Sequence, residues 1–163
     1  MRLGPEQASS RLVLLHGWGA DADDLLDLGE LLVGPEVSVV ALRARLEDLA
    51  ASVALERTVL LGFSQGAAMA LDVGCGLPLA GIVGCSGYPH EGWQPGGTLP
   101  PVLLSHGRED AVVPYAASEE LQRQLVRAGA RVELLPFSGG HGIDPELLPA
   151  VAAFVQRCLG AAG

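Results

Sequence analysis

Residues 58–71 constrain the chain more tightly than any other stretch. Thr58-Val59-Leu60-Leu61 is short, apolar and uncharged, as a buried strand is. Ala67-Ala68-Met69-Ala70-Leu71 consists of strong helix formers. Gly62-Phe63-Ser64-Gln65-Gly66 joins the two, so the backbone must pass from strand to helix within a few residues. Such a turn lifts the serine hydroxyl clear of the sheet edge only if Ser64 occupies a sparsely allowed backbone conformation. Residues two positions to either side meet neighbouring backbone, which is why both are glycine. The helix that follows aims its first amides at the serine, a setting that suits a negatively charged oxygen.

The rest of the chain alternates apolar runs with helical patterns, the mark of βαβ units and a parallel sheet. Strands are expected near 12–15, 37–42, 58–61, 81–85, 101–105 and 131–136. Between them, Leu25, Leu28 and Leu32, then Leu46, Leu49, Ala50, Val53 and Ala54, recur at helical spacing. So do Leu121 and Leu125 after Pro114, and Leu147, Leu148, Val151, Phe154, Val155 and Cys158 near the end. The longest irregular piece runs from Ser86 to Pro100 and carries Tyr88 and Trp93. Loops of that length in a compact domain are usually functional, so both aromatics are candidate substrate contacts.

A serine hydroxyl is a poor nucleophile at neutral pH and needs a base within hydrogen-bond reach. Where this strand-to-helix elbow is used, an acid and then a histidine follow the serine along the chain. His90, His106 and His141 are the histidines after Ser64. His141 lies in Ser138-Gly139-Gly140-His141-Gly142, between a strand-like run and the C-terminal helix, where a loop-borne base belongs. Asp110 follows the apolar run Pro101-Val102-Leu103-Leu104-Ser105 and a glycine turn. That places a carboxylate at the C-terminal end of a strand, where active groups of open parallel sheets gather. Its role would be to fix the His141 tautomer and stabilise the imidazolium. Glu109 is the neighbouring alternative, but its side chain should point away from that of Asp110. Two backbone amides would bind the developing oxyanion. One is that of Gln65; the other comes from the turn Leu15-His16-Gly17-Trp18-Gly19 and is assigned to Trp18, whose ring is also a candidate substrate contact.

Blander roles exist for each residue. Ser64 fits a tight turn, Asp110 could cap the helix after Pro114, and His141 could be a solvated loop residue. The ordered set favours chemistry over three coincidences. His16 and His106, each just before a glycine, read as structural loop residues, and His90 as an exposed loop residue. No histidine pair has metal-ligand spacing, so no metal is expected. Gly17 and Gly19 lack the rest of a dinucleotide fingerprint, and a chain without lysine has no phosphate-loop lysine.

Composition narrows the partners. A net charge of −9 with scattered arginines argues against nucleic acid, which needs clustered cations. At 163 residues the chain is expected to form one domain over residues 1–163 that buries roughly 70% of its unfolded surface. Aromatics make up only 4%, so the core must come from Leu, Val and Ala. Cys75, Cys85 and Cys158 are an odd number without metal or redox spacing, read as buried reduced thiols in a cytoplasmic protein. No secretory leader and no membrane span are evident.

Gly62-Phe63-Ser64-Gln65-Gly66-Ala67, His16-Gly17-Trp18-Gly19, His106-Gly107-Arg108-Glu109-Asp110-Ala111-Val112-Val113-Pro114 and Gly140-His141 together make the chain resemble the phospholipase/carboxylesterase family, which includes the acyl-protein thioesterases. The resemblance runs from about residue 11 to residue 158. It implies an α/β fold: a single-domain, minimal α/β-hydrolase with a mostly parallel sheet of about six strands and helices on both faces. It also implies hydrolysis of small-molecule carboxylic esters or thioesters without a cofactor, with Ser64, Asp110 and His141 as the triad. Relatives carry a substantial loop after the second strand that helps wall an acyl channel. Here Val37-Ser38-Val39-Val40-Ala41-Leu42 runs almost directly into Arg43-Ala44-Arg45-Leu46, which predicts an open site suited to short acyl chains. An open apolar cleft would also favour a homodimer over it. The rival readings are a silent binding protein on the same fold and an acyltransferase using the same triad.

Overall fold

The structure is a computed structural model that describes residues 2–3, 8–15, 32–33, 37–41 and 53–160. Its strands are β1 (Arg2–Leu3), β2 (Ser10–Leu15), β3 (Val37–Ala41), β4 (Thr58–Phe63), β5 (Gly81–Cys85), β6 (Val102–Gly107) and β7 (Val132–Phe137). They form a seven-stranded sheet in the order β1-β3-β2-β4-β5-β6-β7. All neighbours are parallel except β1, which pairs antiparallel with β3. The six expected strands are all present, and β1 is an addition, too short to carry a hydrophobic pattern.

Helix α1 (Gln65–Gly74), α2 (Ala116–Arg127) and α3 (Leu148–Gly160) are the long helices among the described residues. They account for the helical patterns expected after residue 64, after Pro114 and at the C-terminal end. The helix expected at 25–32 lies outside the described residues apart from Leu32, which is buried. The one at 46–54 lies outside them up to Val53. There Val53 sits in a bend and Ala54 is extended, so helix does not reach the end of that stretch; a 3-10 turn, Leu55–Arg57, follows. Residues 86–100 carry neither helix nor strand.

Because successive strand residues face opposite sides, β2, β4, β5 and β6 each feed two cores. Leu12, Leu14, Val59, Leu61, Val83, Cys85 and Leu103 pack with Val151, Phe154, Val155 and Cys158 of α3 on one face. Val13, Leu60, Ile82, Val102 and Leu104 pack with Ala70 and Leu71 of α1 and Leu121 and Leu125 of α2 on the other. Helices therefore cover both faces, which is why the middle strands read as continuous apolar runs. Pro136, which cannot donate to a ladder, lies in β7 at the sheet edge.

Strand β2 has β3 on one side and β4 on the other, so the direction of winding reverses there. Ligands of open α/β sheets bind outside the C-terminal strand ends beside such a point. Ser64 follows the C-terminal end of β4, next to it.

Candidate active site

Ser64 has φ 55 and ψ −119, a region that residues other than glycine rarely enter. Its amide donates to the Cys85 carbonyl at 2.8 Å, and its own carbonyl accepts from Ala67 at 3.0 Å and Ala68 at 3.2 Å. Strand ladder and first helical turn thus hold the strained residue from both sides. The turn is as tight as the glycine spacing requires. A Cβ on Gly62 would overlap the Gly66 carbonyl and lie 2.5 Å from the Ala67 nitrogen. Gln65 is exposed at the first position of α1, and the first amides of a helix have no carbonyl one turn back. Its N–H is therefore available to an anion beside Ser64.

Three side chains from distant parts of the chain meet here. His141 Nε2 lies 3.0 Å from Ser64 Oγ, and His141 Nδ1 lies 2.7 Å from Asp110 Oδ2. A carboxylate only accepts, so Nδ1 carries the proton and Nε2 is left to accept from the Ser64 hydroxyl. The Phe63 ring sits 4.9 Å from the imidazole centroid and shields that side.

The Asp110 side chain is fully buried. One oxygen, Oδ1, accepts from the amides of Val112 and Val113, both at 2.8 Å. The other faces His141. The capping role weighed above is therefore real in kind, but it closes a turn ahead of α2 and uses only half of the carboxylate. Burial pushes the Asp110 carboxyl up. The hydrogen bonds from His141, Val113 and Val112, with the charge of His141, outweigh it and hold the group below the ordinary carboxylate range.

The loop bearing His141 is clamped against the end of β6. Glu109 donates its amide to the Gly139 carbonyl at 3.0 Å, and its carboxylate accepts from the Gly139 amide. Glu109 thus bonds Gly139 rather than His141, and it grips the neighbouring loop. Gly107 lies directly under that loop, where a Cβ would overlap the carbonyls of Gly139 and Gly140. On the far side, Ser86 Oγ donates to the Gly142 carbonyl at 3.2 Å. Ser86 is buried with φ 49, the second non-glycine residue at positive φ among those described. Nothing in the sequence pattern singled it out.

His106 is no loop residue. It is the fifth residue of β6, is fully buried, and approaches Asp110 from behind. His90 is partly exposed and lies 3.5 Å from Asp72.

Trp18 and its turn lie outside the described residues. Tyr88 is partly exposed and meets the His90 ring edge-on at 6.0 Å. Trp93 packs against the α1–α2 core and lines a groove with Pro89, Gln94, Glu120 and Gln124, apart from the triad. A cavity of about 640 Å³ opens at the opposite, N-terminal edge of the strands, lined by Pro101, Val132, Phe154 and Arg157, and holds none of these groups. Among the described residues, no three His, Cys, Asp or Glu side chains converge as metal ligands would, and no helix is long and apolar enough to cross a membrane. All three cysteines are free, Cys85 and Cys158 buried and Cys75 partly so.

Comparison with known proteins gives the family and the fold. The sequence model described as phospholipase/carboxylesterase matches residues 42–159. Acyl-protein thioesterase 1 of Eremothecium gossypii is 34% identical over 125 residues, covering 71% of this chain and 53% of that protein. Its namesake in Gibberella zeae is 32% identical over 128 residues, covering 69% and 53%. The chain spans about half the length of the curated relatives it matches. Among solved structures, esterase PE8 superposes with a TM-score of 0.89 at 31% identity over 98% of both chains. The Bacillus cereus carboxylesterase superposes with a TM-score of 0.80 at 23% identity, over 97% of this chain and 93% of that one, a likeness of fold.

Proposed function

The chain belongs to the phospholipase/carboxylesterase family of α/β-hydrolases, and on that premise we propose that it hydrolyses carboxylic esters or thioesters through an acyl-enzyme on Ser64. The observation that carries the reading is the continuous hydrogen-bonded line from Ser64 Oγ through His141 to a buried, ionised Asp110, with the serine in a strained turn. His141 Nε2 takes the Ser64 proton as Oγ attacks the acyl carbonyl. Asp110 holds the ring and stabilises the imidazolium. The amides of Gln65 and Trp18 bind the oxyanion. His141 then returns the proton to the departing alcohol or thiol, and water, deprotonated by the same imidazole, releases the acid and frees Ser64.

Tyr88 and the Trp18 ring are the substrate contacts of this reading, Trp93 being set in a groove apart from the triad, and the direct passage from Leu42 to Arg43 supports short acyl groups over long ones. A homodimer over the open cleft and a cytoplasmic setting, in keeping with the free thiols, complete it. Ser64→Ala should lower turnover of a short p-nitrophenyl ester by about 10⁴-fold, as for triad serines generally. A fluorophosphonate should label the wild type at Ser64 and leave the variant unlabelled. Unchanged turnover rejects the assignment, and an unlabelled wild type favours a silent fold. An ester and thioester panel of graded acyl length tests the chain-length claim, and light scattering after size exclusion tests the dimer.

A further inference from the structure

Behind the acid lies a second histidine whose every polar contact is accounted for. His106 Nε2 lies 2.8 Å from the Val113 carbonyl and 3.2 Å from Asp110 Oδ2. Both are acceptors, so Nε2 must carry a hydrogen. His106 Nδ1 lies 2.6 Å from Ser118 Oγ on α2. With the hydrogen on Nε2, a neutral ring has a bare Nδ1, and the Ser118 hydroxyl donates to it. Both residues are fully buried, so no water competes for these bonds. The Tyr115 ring closes the pocket, edge-on to His106 at 5.9 Å.

Asp110 Oδ2 therefore accepts from His141 in front, while His106 Nε2 stands 3.2 Å behind it with its hydrogen bond made to the Val113 carbonyl. A carboxylate free to turn about its last bond would lose the 2.7 Å contact to His141. The amides of Val112 and Val113 pin one oxygen, and His106 bears on the other. We propose that His106, fixed as Nε2–H by the Val113 carbonyl and anchored through Nδ1 to Ser118, is a positioning residue: it holds Val113, whose amide pins Asp110 Oδ1, and stands against Oδ2, and so aims that oxygen at His141. The proposal rests on the triad reading above.

The test begins with ¹⁵N NMR of the ring nitrogens, which needs no turnover. The wild type should show His106 as the neutral Nε2–H tautomer, and any state with a proton on Nδ1 overturns the proposal. Kinetics of three variants follow on a short ester. His106→Leu should lower kcat about 10- to 100-fold, the range for leaving a buried carbonyl unpaired, here that of Val113, with KM within about twofold. His106→Gln places an amide N–H near the position of Nε2 and should recover most of that loss. A Gln variant no better than the Leu variant, or a Leu variant with wild-type kcat, overturns the role. Should His106→Leu fail to fold, Ser118→Ala decides: it should leave Nδ1 without its anchor and lower kcat severalfold. An unchanged kcat refutes the idea. Fluorophosphonate labelling of the wild type separates the two readings. No labelling refutes the triad itself, whereas labelling beside an Nδ1-protonated His106 refutes only the positioning role.

Discussion

Gly107 offers the sharpest way to disturb the triad without touching it. The residue is not at positive φ, so its missing side chain is explained by space alone. A Cβ there would lie 2.8 Å from the Gly139 carbonyl carbon, with the carbonyl oxygens of Gly139 and Gly140 closer still. Unstrained carbon contacts fall at about 3.5–4.0 Å, so Gly107→Ala must push the 139–140 backbone back by about 1 Å. His141 is the next residue, and its contacts to Ser64 and Asp110 are 3.0 and 2.7 Å. An added ångström takes both to about 4 Å, beyond hydrogen-bond range. Misplacement on that scale costs about 100-fold in rate. The loss should appear in kcat, with KM little changed, because the side chain intrudes on the base rather than on the substrate. Overpacking should also cost about 1–3 kcal/mol of stability, read as a Tm several degrees lower. Gly140→Ala is the control: a Cβ there meets nothing within 4 Å, and its φ is not positive. The assay is short-ester turnover for both variants, with circular dichroism confirming folding. Gly107→Ala within about threefold of wild type, or Gly140→Ala as impaired as Gly107→Ala, refutes the reasoning.

Other perturbations test the same geometry. Ser64→Gly should remove activity yet stabilise the fold by about 1 kcal/mol, since about 1–3 kcal/mol of strain at φ 55 outweighs the entropy of a new glycine; urea unfolding reads this, and a destabilised variant contradicts it. The folded-state carboxyl of Asp110 lies below its unfolded value, so its contribution to stability is present above about pH 3.9 and is lost as pH falls through the folded value. Asp110→Asn should therefore be less stable at neutral pH and show a shallower loss of stability in acid; parallel acid profiles for the two proteins would contradict this. Burial, then Asp72, pushes the Cys75 thiol up to about 11; burial pushes Cys85 up to about 11 against a hydrogen bond with Ser105; burial also raises Cys158. Iodoacetamide at pH 8 should label Cys75 and Cys85 in the folded protein at least about 100-fold more slowly than a free thiol, and all three cysteines readily after unfolding.

The features legible in the sequence are those whose cause is local. Val59, Leu60 and Leu61 read as a strand because both faces of β4 are buried, and that burial writes itself into consecutive letters. Gly62 and Ser64 read as an elbow because the constraint acts over five residues of one turn. The convergence of Ser64, Asp110 and His141 was legible one step further out, since each follows a recognisable strand and parallel strands deliver their ends to one edge. Contacts between elements that carry no pattern were not legible. Arg2 and Leu3 form a strand only because β3 offers them an edge. Gly107 looked like a turn glycine, yet the cause is a loop thirty residues away lying across it. His16 and His106 looked alike, each a histidine before a glycine after an apolar run. His106 becomes a buried partner of Asp110 because α2 brings Ser118 within 2.6 Å of its ring, and α2 is placed by Leu121 and Leu125 packing on the sheet. A polar residue two positions into a helix is an ordinary letter in sequence. Its meaning at position 118 depends on the helix phase, which the buried leucines set, so Leu121→Ala should loosen the His106–Ser118 bond as well as the core.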